Sequence, residues 1–189
     1  RASRRRRPAR SGSMTGDASP GTERILGLDI ALRRTGCAVV ERTPSALSVL
    51  DCGYISTPAK APLSECLKRI YGGVADLLGR HTPDLAAIEA GFYSRNARTA
   101  MLLGMARGAA VAVLAEGGVA AYEYPPRRVK QAVCGYGNAG KEQVARIVCE
   151  VLGLETTGLS DDTTDALAVC LCHAHTSISL QGLHLPDPM

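Results

Sequence analysis

The sequence predicts an α/β domain: a mixed five-stranded sheet, made of a three-strand antiparallel meander plus parallel strands, flanked by helices. Three observations predict it. Three apolar segments follow one another across short turns near the start of the chain. Two more, Leu85–Glu89 and Val119–Tyr124, each follow a stretch of helix length. Beyond them the apolar residues recur at helical spacing.

The first strand is Arg24–Ile30, an apolar run carrying Asp29 at its end. Gly36–Glu41 follows across a charged turn at Arg33-Arg34, and Ser45–Ile55 completes the meander. A helix runs from Pro62 to about Arg80, with Leu63, Leu67, Ile70, Val74, Leu77 and Leu78 along one stripe. Pro83 interrupts, and LAAIE (Leu85–Glu89) reads as a short buried strand. A second helix spans about Asn96 to Glu116, stopped by Gly117-Gly118, and Val119–Tyr124 is the fifth strand. Pro125-Pro126 opens a short helix toward Val133. A glycine loop at Gly135-Tyr136-Gly137 leads to a helix over 140–152, and a last helix runs from Asp161 to about His175. The organisation is an Arg-rich extension and linker over 1–23, a folded domain over 24–176 and a frayed C-terminal tail over 177–189.

With 189 residues, 46% hydrophobic and 21% charged, the chain has the composition of one globular domain with a core of ordinary size. The formal charge of +4 misleads, because residues 1–13 hold six arginines and no acid, leaving about −2 for the remainder. Met14 stands before an ordinary-looking start, and residues 1–13 read as a disordered extension upstream of it. The body is near neutral, so affinity for nucleic acid has to come from local patches. Seven scattered cysteines without a CxxC pair, and no apolar segment behind the basic start, suit a reducing, cytoplasmic compartment. Membrane insertion is not expected: the apolar stretch 97–115 is broken by Arg98 and Arg107 and falls short of the roughly 18 uninterrupted residues a span needs.

Four carboxylates stand in unusual places. Asp29 ends ILGLD, Glu89 ends LAAIE, and Asp162 and Asp165, at i and i+3, share a helix face just before the apolar run ALAVCLC. Each has an ordinary structural reading: a turn former, a loop acid, or an acid at a helix N-terminus. Together they can converge on one hard-cation site, since acids beside buried backbone are costly unless paired or cation-bound. Oxygen ligands suit Mg²⁺ or Mn²⁺, and in phosphodiester cleavage such clusters hold paired ions about 3.5–4 Å apart.

Four blocks in order, ILGLD-x₆-G ending at Gly36, IEAGFYSRNARTAMLLGMARGAA, EYPPRRVKQAVCGYGNAGKEQV and DDTTDALAVCLCHAH, resemble the RuvC family of Holliday junction resolvases over residues 24–176. The resemblance implies an RNase H-like fold and a Mg²⁺-dependent homodimer that nicks two opposed strands of a four-way DNA junction, leaving 5′-phosphate and 3′-hydroxyl ends. It further implies that Asp29, Glu89, Asp162 and Asp165 are the catalytic, metal-holding acids. Phe92 matches an aromatic inserted at the junction centre, and Lys130 and Lys141 match DNA-contacting lysines. Branch-migration helicase proteins of recombination are the implied partners. The residues make sense by themselves: Phe92 is the only phenylalanine and lies in a Gly- and Asn-containing loop, where it can stack on unpaired bases. Arg127, Arg128, Lys130 and Lys141 cluster around the glycine loop and suit phosphates. The family's usual DPG or DPS after the first strand is Asp29-Ile30-Ala31 here, a looser turn that keeps the acid.

Two motifs mislead. Gly135–Lys141 spells GxxxxGK, but Glu142 stands where a nucleotide-binding loop needs Ser or Thr, so no nucleotide cofactor is expected. Cys170, Cys172, His173 and His175 imitate a zinc set, yet helical geometry keeps them from one ion. His173 and His175 remain candidates for contacts near the acids. On the second helix, Ala100, Gly104 and Gly108 fall at i+4 steps and permit close approach, as packing or as a dimer surface. The rival readings are a protein of the same fold that binds junctions or RNA without cutting, and a phosphotransferase of the actin–hexokinase fold. The first gains nothing from four acids facing phosphate, and the second lacks a phosphate loop after Asp29.

Overall fold

The computed structural model describes residues 21–91, 96–155, 158–179 and 187–189. The Arg-rich extension, Phe92 and most of the C-terminal tail lie outside the described residues. The elements run β1 (Glu23–Asp29), β2 (Arg34–Arg42), β3 (Leu47–Ser56), α1 (Leu63–His81), β4 (Leu85–Glu89), α2 (Ala97–Glu116), β5 (Ala120–Tyr124), α3 (Pro126–Cys134), α4 (Lys141–Leu152) and α5 (Asp161–Ser179). They build one five-stranded sheet in the order β3-β2-β1-β4-β5. β1, β2 and β3 pair antiparallel, and β4 and β5 join β1 in parallel. The mixed sheet is the expected one, as is the covering of helices on both faces.

Alternation along the strands decides which helices cover which face. Leu26, Leu28, Val39, Ala86 and Ile88 turn toward Ile70, Val74 and Leu77 of α1 and Ala106, Ala110 and Val113 of α2. Ile25, Ala38, Val40, Ala87 and Tyr124 turn the other way, toward α5, with Val129 of α3 and Val144 and Val148 of α4 closing over it. Helix α5 is therefore a buried core helix, with Ala166 to Cys172 almost wholly excluded from water. Two glycines let it lie directly on the sheet. A Cβ at Gly27 would overlap the Ala166 carbonyl oxygen and Cys170 Sγ, and one at Gly36 would overlap the Asp162 carbonyl oxygen. The glycine spacing in ILGLD-x₆-G thus has a packing cause.

Two expectations change. α5 continues to Ser179, so residues 177–179 extend the last helix and do not begin a frayed tail. The backbone N–H of Met189 donates to the Ala121 carbonyl at 2.9 Å, which sets the last residue against β5. As expected, α2 runs unbroken past Arg98 and Arg107; it is long and apolar enough, by length and composition alone, to cross a membrane. A single arginine costs a helix nothing when its head group finds partners, and Arg107 pairs with Glu123 at 2.9 Å. Asn96 caps α2, its side chain accepting from Thr99 N–H at 3.2 Å.

Candidate active site

Parallel pairing of β1 with β4 aligns Leu28 with Ile88. The next residue of each strand, Asp29 and Glu89, therefore emerges side by side at the carboxyl end of the sheet, where ligands of open α/β sheets bind. α5 begins against the same end, held there by the close approach at Gly36. A cavity of about 400 Å³ opens at this point, lined by Asp29, Glu89, Lys130, Val144, Lys141 and Asp165. Three of the four predicted acids and two of the four predicted basic residues thus meet in one place.

The electrostatics are those of acids crowded without enough positive charge. Burial, then repulsion from Asp165 and Asp162, pushes Asp29 up to about 6, while Lys141 pulls it down. Burial and then the Asp29 charge push Glu89 up to about 7, again opposed by Lys141 and Lys130. Asp165 is raised by burial and partly rescued by Lys141, whose Nζ lies 3.5 Å from its carboxylate. Crowded, half-buried oxygen donors of this kind are what a hard divalent cation neutralises, and the donor set fits Mg²⁺ or Mn²⁺. Among the described residues no three His, Cys, Asp or Glu side chains are grouped as a ready-made metal site.

Asp162 stands apart. It does not line the cavity, and its carboxylate lies 2.8 Å from Arg34 Nε, while the Arg34 guanidinium stacks 4.0 Å over the Tyr54 ring. An i,i+3 step leaves about 60° between two side chains on a helix, enough to aim Asp165 at Lys141 and Asp162 at β2. Arg127 and Arg128 are exposed on α3 outside the cavity, although the glycine loop closes on Arg127, against whose side chain a Cβ at Gly137 would collide.

Neither His173 nor His175 lines the cavity. His173 is fully buried, with its Nδ1 2.8 Å from Tyr124 Oη. Burial, and then the Arg42 charge, hold it down to about 4. His175 Nδ1 lies 3.0 Å from the Ala132 carbonyl. The GxxxxGK segment follows helix α3, whose C-cap is Gly135, where a nucleotide-binding loop needs a strand. A second cavity of about 430 Å³ shares Asp29 and Glu89 with the first and is lined beyond them by Ala31, Leu103, Arg107 and Glu123. Arg34 and Arg107 are the site-bordering residues that sequence reasoning missed.

A mixed sheet in the order β3-β2-β1-β4-β5, with acids at the ends of two adjacent parallel strands and another at the first turns of the helix crossing them, is the arrangement of an RNase H-like fold. The comparisons narrow this. The family model described as "Crossover junction endodeoxyribonuclease RuvC" matches residues 25–173. The crossover junction endodeoxyribonuclease of Chloroflexus aggregans is 44% identical over 158 residues, covering 84% of this chain and 96% of that protein. That of Burkholderia thailandensis is 45% identical over 161 residues, covering 85% and 88%. The structure of T. thermophilus RuvC in complex with a Holliday junction substrate superimposes with a TM-score of 0.77 at 30% identity, covering 88% of this chain and 99% of that one. The chain belongs to the RuvC family of crossover junction endodeoxyribonucleases, DNA-cleaving hydrolases.

Proposed function

We propose that this chain resolves Holliday junctions by divalent-cation-dependent hydrolysis of two symmetrically placed phosphodiester bonds, leaving 5′-phosphate and 3′-hydroxyl ends. The observation that carries the reading is the meeting of Asp29, Glu89 and Asp165 with Lys130 and Lys141 in one cavity, within a chain whose relatives carry that name. Asp29, Glu89 and Asp165 would hold Mg²⁺ or Mn²⁺, and Asp162 would join them after leaving Arg34. The bound cations would supply Lewis-acid activation of the attacking and leaving oxygens.

The chain's own side chains do the rest. Asp29 and Glu89, deprotonated at neutral pH once a cation is near, fix where the scissile phosphate sits. Lys141 and Lys130 flank that position and neutralise a phosphate on the α3–α4 side, while Arg127 and Arg128 meet the backbone further out. Phe92, three residues past Glu89, would stack on unpaired bases at the junction centre. Two symmetric nicks call for two copies of the chain. The apolar outer face of α2 suits that pairing, with Met101 55% and Met105 40% exposed and open space around Gly104 and Gly108. Membership of the family further supports branch-migration helicase proteins as partners. We read the chain as acting on DNA in a reducing cytoplasm, a reading that seven free thiols support.

The test is substitution of the acids. Asp29→Asn and Asp165→Asn should each lower the cutting rate by about 10³ or more, given several kcal/mol of lost charge stabilisation. Junction binding in EDTA should persist in both. Loss of binding together with cutting, in a folded variant, would contradict the roles given to these acids.

A further inference from the structure

Glu89 is the last residue of β4, and its two neighbouring strands support it unequally. On one side the β4–β5 ladder includes Glu89↔Tyr124 and is prolonged by Ala90 N–H donating to the Tyr124 carbonyl at 2.8 Å. On the other, the β1–β4 register ends at Leu28↔Ile88. Past Glu89 the chain enters Ala90-Gly91, and a Cβ at Gly91 would meet nothing within 4 Å. On the β1 side, the restraint comes from α2. Arg107 Nη1 donates to the Glu89 carbonyl at 3.1 Å, and Arg107 Nη2 lies 2.9 Å from Glu123 Oε1 on β5 and 3.3 Å from Met189 Sδ.

The geometry points to Arg107 as a positioning residue for the cation site: it pins the end of β4 and thereby sets where the Glu89 carboxylate stands beside Asp29. A guanidinium suits the task because its donors lie in one rigid plane and can hold two acceptors at a fixed angle. The Arg107 side chain is only 22% exposed, so the contact is no loose surface pair. Its charge is matched by Glu123, which leaves little net attraction for a phosphate. Arg107 acts on the backbone of Glu89, not on its carboxylate, and reaches the reaction only through it. Supports of this kind matter because donors around a metal must be held to within about 0.5 Å, and losing one typically costs about 10–100-fold in metal affinity.

The inference rests on the reading of Glu89 as a cation ligand, so the test measures the cation without DNA. Mn²⁺ binding to the full chain is followed by calorimetry for the wild type, Arg107→Ala, Arg107→Lys and Glu123→Gln, with thermal melting to verify folding. Arg107→Lys keeps the charge and loses the fork. Both Arg107 variants should bind Mn²⁺ about 10–100-fold more weakly, with kcat on a four-way junction falling in parallel and junction affinity in EDTA unchanged. Glu123→Gln keeps an acceptor for Nη2 but leaves the Arg107 charge unmatched, so it should weaken Mn²⁺ binding less than either Arg107 variant. If Arg107→Ala fails to fold, Arg107→Lys decides. Undiminished Mn²⁺ affinity in Arg107→Lys would overturn the proposal, and so would a loss confined to junction affinity, which would make Arg107 a phosphate contact. A wild type that binds no Mn²⁺ would also overturn it, together with the ligand role of Glu89. A wild type that binds Mn²⁺ in this Arg107-dependent way but cuts no junction would instead sink the resolvase reading and support the positioning role.

Discussion

At the scale of single residues, the crowding of Asp29 and Glu89 has a measurable sign. Burial and repulsion from neighbouring acids push them up to about 6 and about 7, from ordinary carboxylate values of 3.8 and 4.5. Between those limits the folded state binds more protons than the unfolded one, so stability falls as pH rises from about 4 to about 7. Each shift of about two units corresponds to something on the order of 3 kcal/mol. The cation-free protein should therefore lose melting temperature between about pH 5 and pH 8, and Mg²⁺ should restore it at the higher pH and do little at the lower. Asp29→Asn/Glu89→Gln should flatten both responses; an unchanged slope in that variant would show the acids are not its source. Lys141 works in the opposite sense, lowering both groups. Lys141→Met should thus move the pH–rate profile at limiting Mg²⁺ toward alkaline values, and a profile that stays in place would separate the lysine from the acids.

At the scale of elements, the site depends on how closely α5 lies on the sheet. Gly36→Ala drives a Cβ into the Asp162 carbonyl oxygen, and overpacking of this kind costs about 1–3 kcal/mol. Thermal melting should show that loss, and cutting should fall further than stability alone explains, because the same displacement moves Asp165. A variant with lowered stability and full activity would show that α5 tolerates the shift. The elements were legible because each carries a strong period: alternation in the strands, the apolar stripe in α1, the proline opening of α3. Asp29, Glu89 and Asp165 were legible because each is an acid touching a buried run. What stayed hidden follows from the same physics. Helix α2 is rich in Ala and carries Leu, Val and Met all round, so its sequence does not say which side faces the sheet. Arg107 accordingly read as a break in an apolar stretch and not as a strut between strands. The parting of Asp162 from Asp165 was hidden too, because it depends on Arg34, distant along the chain and brought near where α5 packs closely on β2 at Gly36.

At the scale of the whole molecule, one chain supplies one set of acids, and a four-way junction has two-fold symmetry. If two copies pair as proposed, the exposed Met101 and Met105 on the outer face of α2 are the surface to test. Met101→Glu/Met105→Glu should leave the fold intact, since both side chains are exposed. It should also shift sedimentation to that of a monomer and yield single nicks where the dimer yields paired ones. A dimer that survives these charges would place the interface elsewhere. The central claim is tested most directly by offering the chain a synthetic four-way DNA junction and a matched linear duplex, in Mg²⁺ and in EDTA. The account predicts paired, symmetric nicks on the junction alone and in Mg²⁺ alone. Tight junction binding without nicks in either Mg²⁺ or Mn²⁺ would contradict it and leave a junction-binding protein of the same fold.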